Sequence, residues 1–88
     1  MSAKLHPAQL VLPGRILERE LEARGWTQGD LAAILGRPEQ VINEIISGSK
    51  PITPETSIEL GQAFGTSPEF WHTLEANHQL ESAQRQQR

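Results

Sequence analysis

The stretch Gln28-Gly29-Asp30-Leu31-Ala32-Ala33-Ile34-Leu35-Gly36-Arg37-Pro38-Glu39-Gln40-Val41-Ile42-Asn43-Glu44-Ile45 decides the fold. Its apolar residues recur at threes and fours, the period of a helix, and the pattern breaks once, at Gly36-Arg37-Pro38. This predicts two short helices, about 28–35 and 38–47, joined by a turn of three or four residues. Leu31 and Leu35 on the first are placed to face Ile42 and Ile45 on the second. The small side chain of Ala32 lets the two helices approach closely. Gly36 opens the turn, because a left-handed residue closes a helix and glycine adopts that conformation without a Cβ clash.

The punctuation continues outward from this pair. Gly25, Gly48 and Gly65 follow helical stretches, and Pro13, Pro54 and Pro68 stand where helices would begin. Thr53 and Ser67 precede two of those prolines and suit N-caps, and Thr27 to Asp30 has the outline of a capping box. Three more helices follow: about 14–24 with Ile16, Leu17 and Leu21; about 54–64 with Ile58, Leu60, Ala63 and Phe64; and one from Pro68 with Phe70, Trp71 and Leu74. Phe70 and Leu74, at i and i+4, are expected to close the bundle. Trp71 is expected at the same core edge or in a dimer seam. Leu80 lies about 240° round from Leu74, so either the helix frays before it or it meets a partner. No alternating run argues for a strand. The expected organisation is an N-terminal arm over 1–12 with Leu10, Val11 and Leu12 packed, a single domain over 13–80, and a polar tail over 81–88 that frays.

Composition excludes much chemistry. The chain has 88 residues, 8 Lys plus Arg, 11 Asp plus Glu and a formal net charge of −3. A chain of this size buries only about 60% of its extended surface, so its core is small and cannot enclose a large cofactor. With no Cys there is neither a disulfide nor a thiolate metal site. His6, His72 and His78 are the only histidines, and His72 and His78 do not share a helical face. Glu75 and His78, at i and i+3, read as a surface pair. There is no metal-protease motif, nucleophile elbow or phosphate-cradling loop. Neither an enzyme nor a cofactor or metal is expected. The acidic balance argues against nonspecific coating of nucleic acid while leaving room for one suitable face. No apolar run is long enough for a membrane span, and the start has no apolar signal segment, so a cytoplasmic protein is expected.

Two helices crossing at roughly 90–120° with the second presented outward make a helix-turn-helix. Leu31, Ala32, Gly36, Ile42 and Ile45 supply its internal packing. The chain resembles the Xre/phage-repressor-like helix-turn-helix family, and more narrowly the HigA-type antitoxins. The resemblance spans about residues 13–75 and rests on Pro13 to Leu21, Trp26 to Ala32, Ile45-Ile46-Ser47-Gly48-Ser49-Lys50-Pro51-Ile52-Thr53-Pro54, and Phe64-Gly65-Thr66-Ser67-Pro68-Glu69-Phe70-Trp71. The last two stretches separate this subfamily from other repressor-like domains. The resemblance implies an all-α, five-helix bundle that binds double-stranded operator DNA as a homodimer. It also implies a partner toxin, a RelE-like endoribonuclease that cuts mRNA.

The second helix of the pair should read the bases. With Ile42, Ile45 and Ile46 inward, Glu39, Gln40, Asn43, Glu44 and Ser47 face out. Gln40 and Asn43 are the chief base readers, because each amide can pair with adenine N6 and N7. Gln28, at the start of its helix, suits a phosphate, and the resemblance gives the matching Gln that role. Arg37, Ser49 and Lys50 are expected phosphate anchors. The chain departs from the family at Pro38, where Ser or Thr often caps; at Glu39, where a basic or amide residue is common; and at Val41, in place of a frequent Thr. Over 28–50, Arg37 and Lys50 oppose Asp30, Glu39 and Glu44, a balance of −1. A carboxylate beside phosphates is repelled, although Glu39 can also accept from cytosine N4. Two other readings stay open: a standalone Xre-family regulator without a toxin, and an interaction module that has lost DNA binding. Glu18, Glu20 and Glu22, or the terminal helix, are candidate acidic surfaces for a basic partner.

Overall fold

A computed structural model describes residues 12–87 as five helices. They are α1 (Pro13–Arg24), α2 (Gln28–Leu35), α3 (Glu39–Ser47), α4 (Pro54–Phe64) and α5 (Pro68–Gln86). The first four match the expected spans to within a residue. No strand occurs among the described residues. The expected arm, apart from Leu12, lies outside the described residues.

Local chemistry fixes the starts. At α2 the capping box forms: the Asp30 N–H donates to Thr27 Oγ1 (3.0 Å) and the Thr27 N–H to Asp30 Oδ2 (2.8 Å). Thr53 and Ser67 cap α4 and α5 through the backbone N–H groups of Thr56 and Phe70. Helix α3 has no such cap. Pro38 holds its N-cap position in an extended conformation, with no side-chain hydrogen bond. Gly36, at φ 70°, turns the chain out of α2 and into α3.

Leu17, Leu21, Leu31, Ala32, Ile42, Ile45, Ile52, Leu60, Phe64 and Trp71 form one buried core. Leu35 and Ile46 pack partly buried against it. Two expectations are corrected at the α4–α5 end. Trp71 is 0% exposed while Phe70 is 42% exposed, so the roles assigned to them reverse. The reason is polar as well as apolar: the Trp71 indole N–H donates to Thr66 Oγ1 at 2.8 Å, which lets the whole ring leave water. Phe64 then lies between Trp26 and Trp71, with ring centroids 5.6 and 5.7 Å away, and Phe70 stands edge-on to Trp71. Ile58, expected in the core, is 48% exposed. The buried stripe of α4 is instead Ser57, Leu60, Gly61 and Phe64. Small residues at 57 and 61 let the neighbouring chain come close.

Helix α5 does not fray at Leu80. It runs to Gln86, and Leu80 is 58% exposed on its outer half. Nor is Glu75 a surface residue. It is buried, and its Oε1 accepts the backbone N–H of Ile52 at 2.9 Å while Oε2 accepts from Gln79. This bond ties the α3–α4 loop to α5. At the other end of the loop the N–H groups of Ser49 and Lys50 both donate to Glu44 O.

The first helix is seated on the C-terminal end of α3. Gly14 is buried, and a Cβ built there would stand 2.3 Å from Ile46 O and 2.7 Å from Ile45 O. Only hydrogen fits. Arg24, at the other end of α1, donates to Phe64 O at 2.9 Å and lies over the Phe64 ring.

Candidate nucleic-acid interface

The α2–α3 pair presents a polar ridge, as its apolar spacing requires. Ile42 and Ile45 take the core side of α3. That leaves Glu39, Gln40, Asn43 and Ser47 exposed and Glu44 half-buried. Gln40, Asn43, Glu44 and Ser47 follow each other at i, i+3, i+4 and i+7, one stripe of a helix.

The ridge is continuous with the start of α2. Asn43 Nδ2 donates to Gln28 Oε1 at 3.5 Å, a long contact that brings a base-reading candidate beside a phosphate-binding candidate. At the other end, the hydroxyls of Ser47 and Ser49 lie 3.0 Å apart. Gln28, Asn43, Ser47 and Ser49 thus line one surface. Gln40 Nε2 donates to Glu44 Oε2 at 3.2 Å, which orients its amide along the ridge.

The cations are less available than the sequence suggests. Arg37 donates from Nε and from a terminal nitrogen to the two Glu59 oxygens, both at 2.7 Å. That paired hydrogen bond holds the Glu59 carboxyl below the ordinary carboxylate range and pushes Arg37 further up. Glu59 went unread in the sequence because it lies 22 residues away on α4. Lys50 is exposed, with its Nζ 3.8 Å from Glu44 Oε1. Asp30 is used within the α2 cap.

Glu39 forms no ion pair among the described residues. Its carboxylate reaches back toward α2: a Cβ built on Gly29 would stand 3.3 Å from Glu39 Oε1. An anion there is stabilised by the positive end of the α2 dipole. It also sits where a phosphate oxygen would otherwise approach the first turn of α2. Glu39 is therefore an electrostatic opponent placed within the ridge itself.

No group of three or more potential metal ligands occurs among the described residues. No helix of the described residues is long and apolar enough to cross a membrane.

Comparison with known proteins points to the same elements. Residues 17–71 match the helix-turn-helix family model HTH_3, a span that takes in α2, the turn and α3. An uncharacterized HTH-type transcriptional regulator of Haemophilus influenzae is 37% identical over 68 residues. The match takes in 76% of this chain and 64% of that one, so the chain spans less than two thirds of the curated relative's length. Among solved structures, an addiction module antidote protein of a HigA family from Coxiella burnetii is 33% identical, with a TM-score of 0.81 over 85% of this chain and 83% of that one. Pseudomonas aeruginosa PA4674, solved in complex with its operator DNA, is 32% identical, with a TM-score of 0.78 over 82% of this chain and 78% of that one.

Proposed function

The chain belongs to the helix-turn-helix family, and from that premise we propose that it is a DNA-binding antitoxin that represses its own operon as a dimer and neutralises a RelE-like mRNA endonuclease. The observation that carries the DNA half is the exposed stripe Gln40, Asn43 and Ser47, joined through Asn43 to Gln28 at the start of α2. The stripe lies in the major groove. Gln40 and Asn43 meet base edges there, Glu39 opposes the phosphate nearest the start of α2, and Gln28, Ser47, Ser49 and Lys50 hold the flanking phosphates. Arg37 reaches phosphate only by giving up Glu59. The solved relative with operator DNA supports this docking, as does the HigA-family neighbour for the antitoxin role.

A dimer fits both the small core and the length of α5. Of that 19-residue helix only Trp71 and Glu75 are buried, and Leu80 is left on the outer half. Pairing two copies places two recognition helices about 34–36 Å apart, one turn of duplex.

The test is an anisotropy titration of the purified chain against its own promoter at low ionic strength. It is paired with co-expression of the protein encoded beside it. A specific shift, two protomers per operator, and rescue of growth by this chain are expected. No specific shift removes the DNA-binding reading. A shift without any toxin association leaves the standalone regulator.

A further inference from the structure

Up to Gln84 the last two helices carry formal charge of one sign only. From Pro51 to Gln84 the sequence holds Glu55, Glu59, Glu69, Glu75 and Glu81 and not one Lys or Arg. Three of these have internal partners. Glu59 is held by Arg37, Glu75 accepts from Ile52, and Glu81 pairs with Arg85. Glu55 and Glu69 are exposed and form no ion pair among the described residues.

Glu69 lines an apolar hollow of about 420 Å³ between α4 and α5, together with Pro54, Ser57, Ile58, Pro68 and His72. Glu55 precedes Ile58 by three residues, so they share a face of α4. Ile58 is 48% exposed, a large aliphatic residue that the bundle leaves in water. Pro54 and Pro68 stiffen the two walls, each at the start of its helix. None of these residues belongs to the α2–α3 ridge. The acidic face of α1 is a poorer candidate, because Glu18, Glu20 and Glu22 are interleaved with Arg15, Arg19 and Arg24.

We propose that this hollow is the docking site for a basic protein partner. An apolar side chain of the partner seats on Ile58 between Pro54 and Pro68, and flanking Lys or Arg residues reach Glu55 and Glu69. The apolar centre supplies the contact energy, and the unpaired carboxylates supply charge complementarity and steer the encounter. The partner's identity as the toxin rests on the antitoxin reading above; the hollow identifies the face that receives it.

The experiment measures binding of the protein encoded next to this chain to the wild-type chain and to two double variants. Ile58→Lys with Glu69→Lys alters the hollow; Glu18→Lys with Glu22→Lys alters α1. Ile58 and Glu69 are exposed, so the variant should stay folded and bind operator; melting and operator affinity serve as controls, with a small fall in melting temperature expected from placing a cation in the first turn of α5. The hollow variant is expected to lose at least roughly fiftyfold in affinity, the range of a central contact residue, and the α1 variant less than about threefold. Wild-type affinity in the hollow variant, or loss confined to the α1 variant, overturns the assignment while the antitoxin reading survives. No binding by the wild-type chain overturns both.

Discussion

Replacing Gly14 by Ala tests the packing of α1 on α3 through a single methyl group. The added Cβ would stand 2.3 Å from Ile46 O, 2.7 Å from Ile45 O and 2.8 Å from Ile46 C, where ordinary contact begins near 3.4 Å. All three neighbours are backbone atoms, so no rotamer change relieves the clash. The two helices must part by about 1 Å. A gap of roughly that size forfeits a quarter to a half of the dispersion energy across the contact. Overpacking of this kind costs about 1–3 kcal/mol, and the rigidity of the neighbours places Gly14→Ala in the upper half. For a domain of this length that is a fall in melting temperature of about 8–20 °C. Gly29→Ala is the matched control. Its Cβ would meet the far end of the Glu39 side chain at 3.3 Å and Thr27 Oγ1 at an ordinary 3.7 Å, and the helix gains from losing a glycine, by up to about 1 kcal/mol. The same chemical change should therefore shift the melting curve in opposite directions at the two sites, read by circular dichroism at fixed protein concentration. Equal melting temperatures for the two variants would refute the account of how α1 seats.

Three further outcomes are expected. Gln40→Ala should weaken operator binding by about 1–3 kcal/mol and relax preference at one base pair, measured by anisotropy against a panel of single-base operator changes; uniform weakening across the panel would make Gln40 a phosphate contact instead. Glu39→Gln should tighten binding, because a carboxylate about 7 Å from a phosphate in water repels it by roughly 0.6 kcal/mol; weaker binding confined to sites with cytosine would show Glu39 to be a base reader. The Arg37–Glu59 pair should give a stability contribution on the acid side. Glu59 has its folded pKa lowered, so the contribution is present above the unfolded carboxylate value and is lost as pH falls through the lower folded value. Melting curves from neutral to acid pH for wild type and Glu59→Gln should converge at the acid end, and a constant gap would remove the pair from the balance.

The first four helices were legible in the sequence because their ends are written in residues with strong local preferences. Pro13, Thr53-Pro54 and the glycines act within one turn, so nothing distant is needed to place them, and Ser67-Pro68 marks the start of α5 in the same way. The ridge was legible for the same reason: once Ile42 and Ile45 point inward, Gln40, Asn43 and Ser47 must point out. Non-local contacts were not legible. Glu75 is buried because a backbone N–H 23 residues away needs an acceptor, and no periodicity announces that. Phe70 and Trp71 are adjacent and both aromatic, so the choice between them fell to Thr66, whose hydroxyl accepts the indole N–H. Ile58 follows the helical period but lines the hollow between α4 and α5 instead of the core.

The engagement of Arg37 by Glu59 and the nearness of Lys50 to Glu44 bear on how the chain would search a genome. Grip on arbitrary duplex comes almost wholly from cations that displace condensed counterions, and each one steepens the fall of log affinity with log salt by about 0.9. A protomer whose recognition segment holds Arg37 on Glu59 and leaves Lys50 as its one available cation releases few counterions. Its salt dependence should be shallow, its hold on random sequence poor, and its residence off target brief. Selectivity then arises less from a tight cognate complex than from the weakness of every other one.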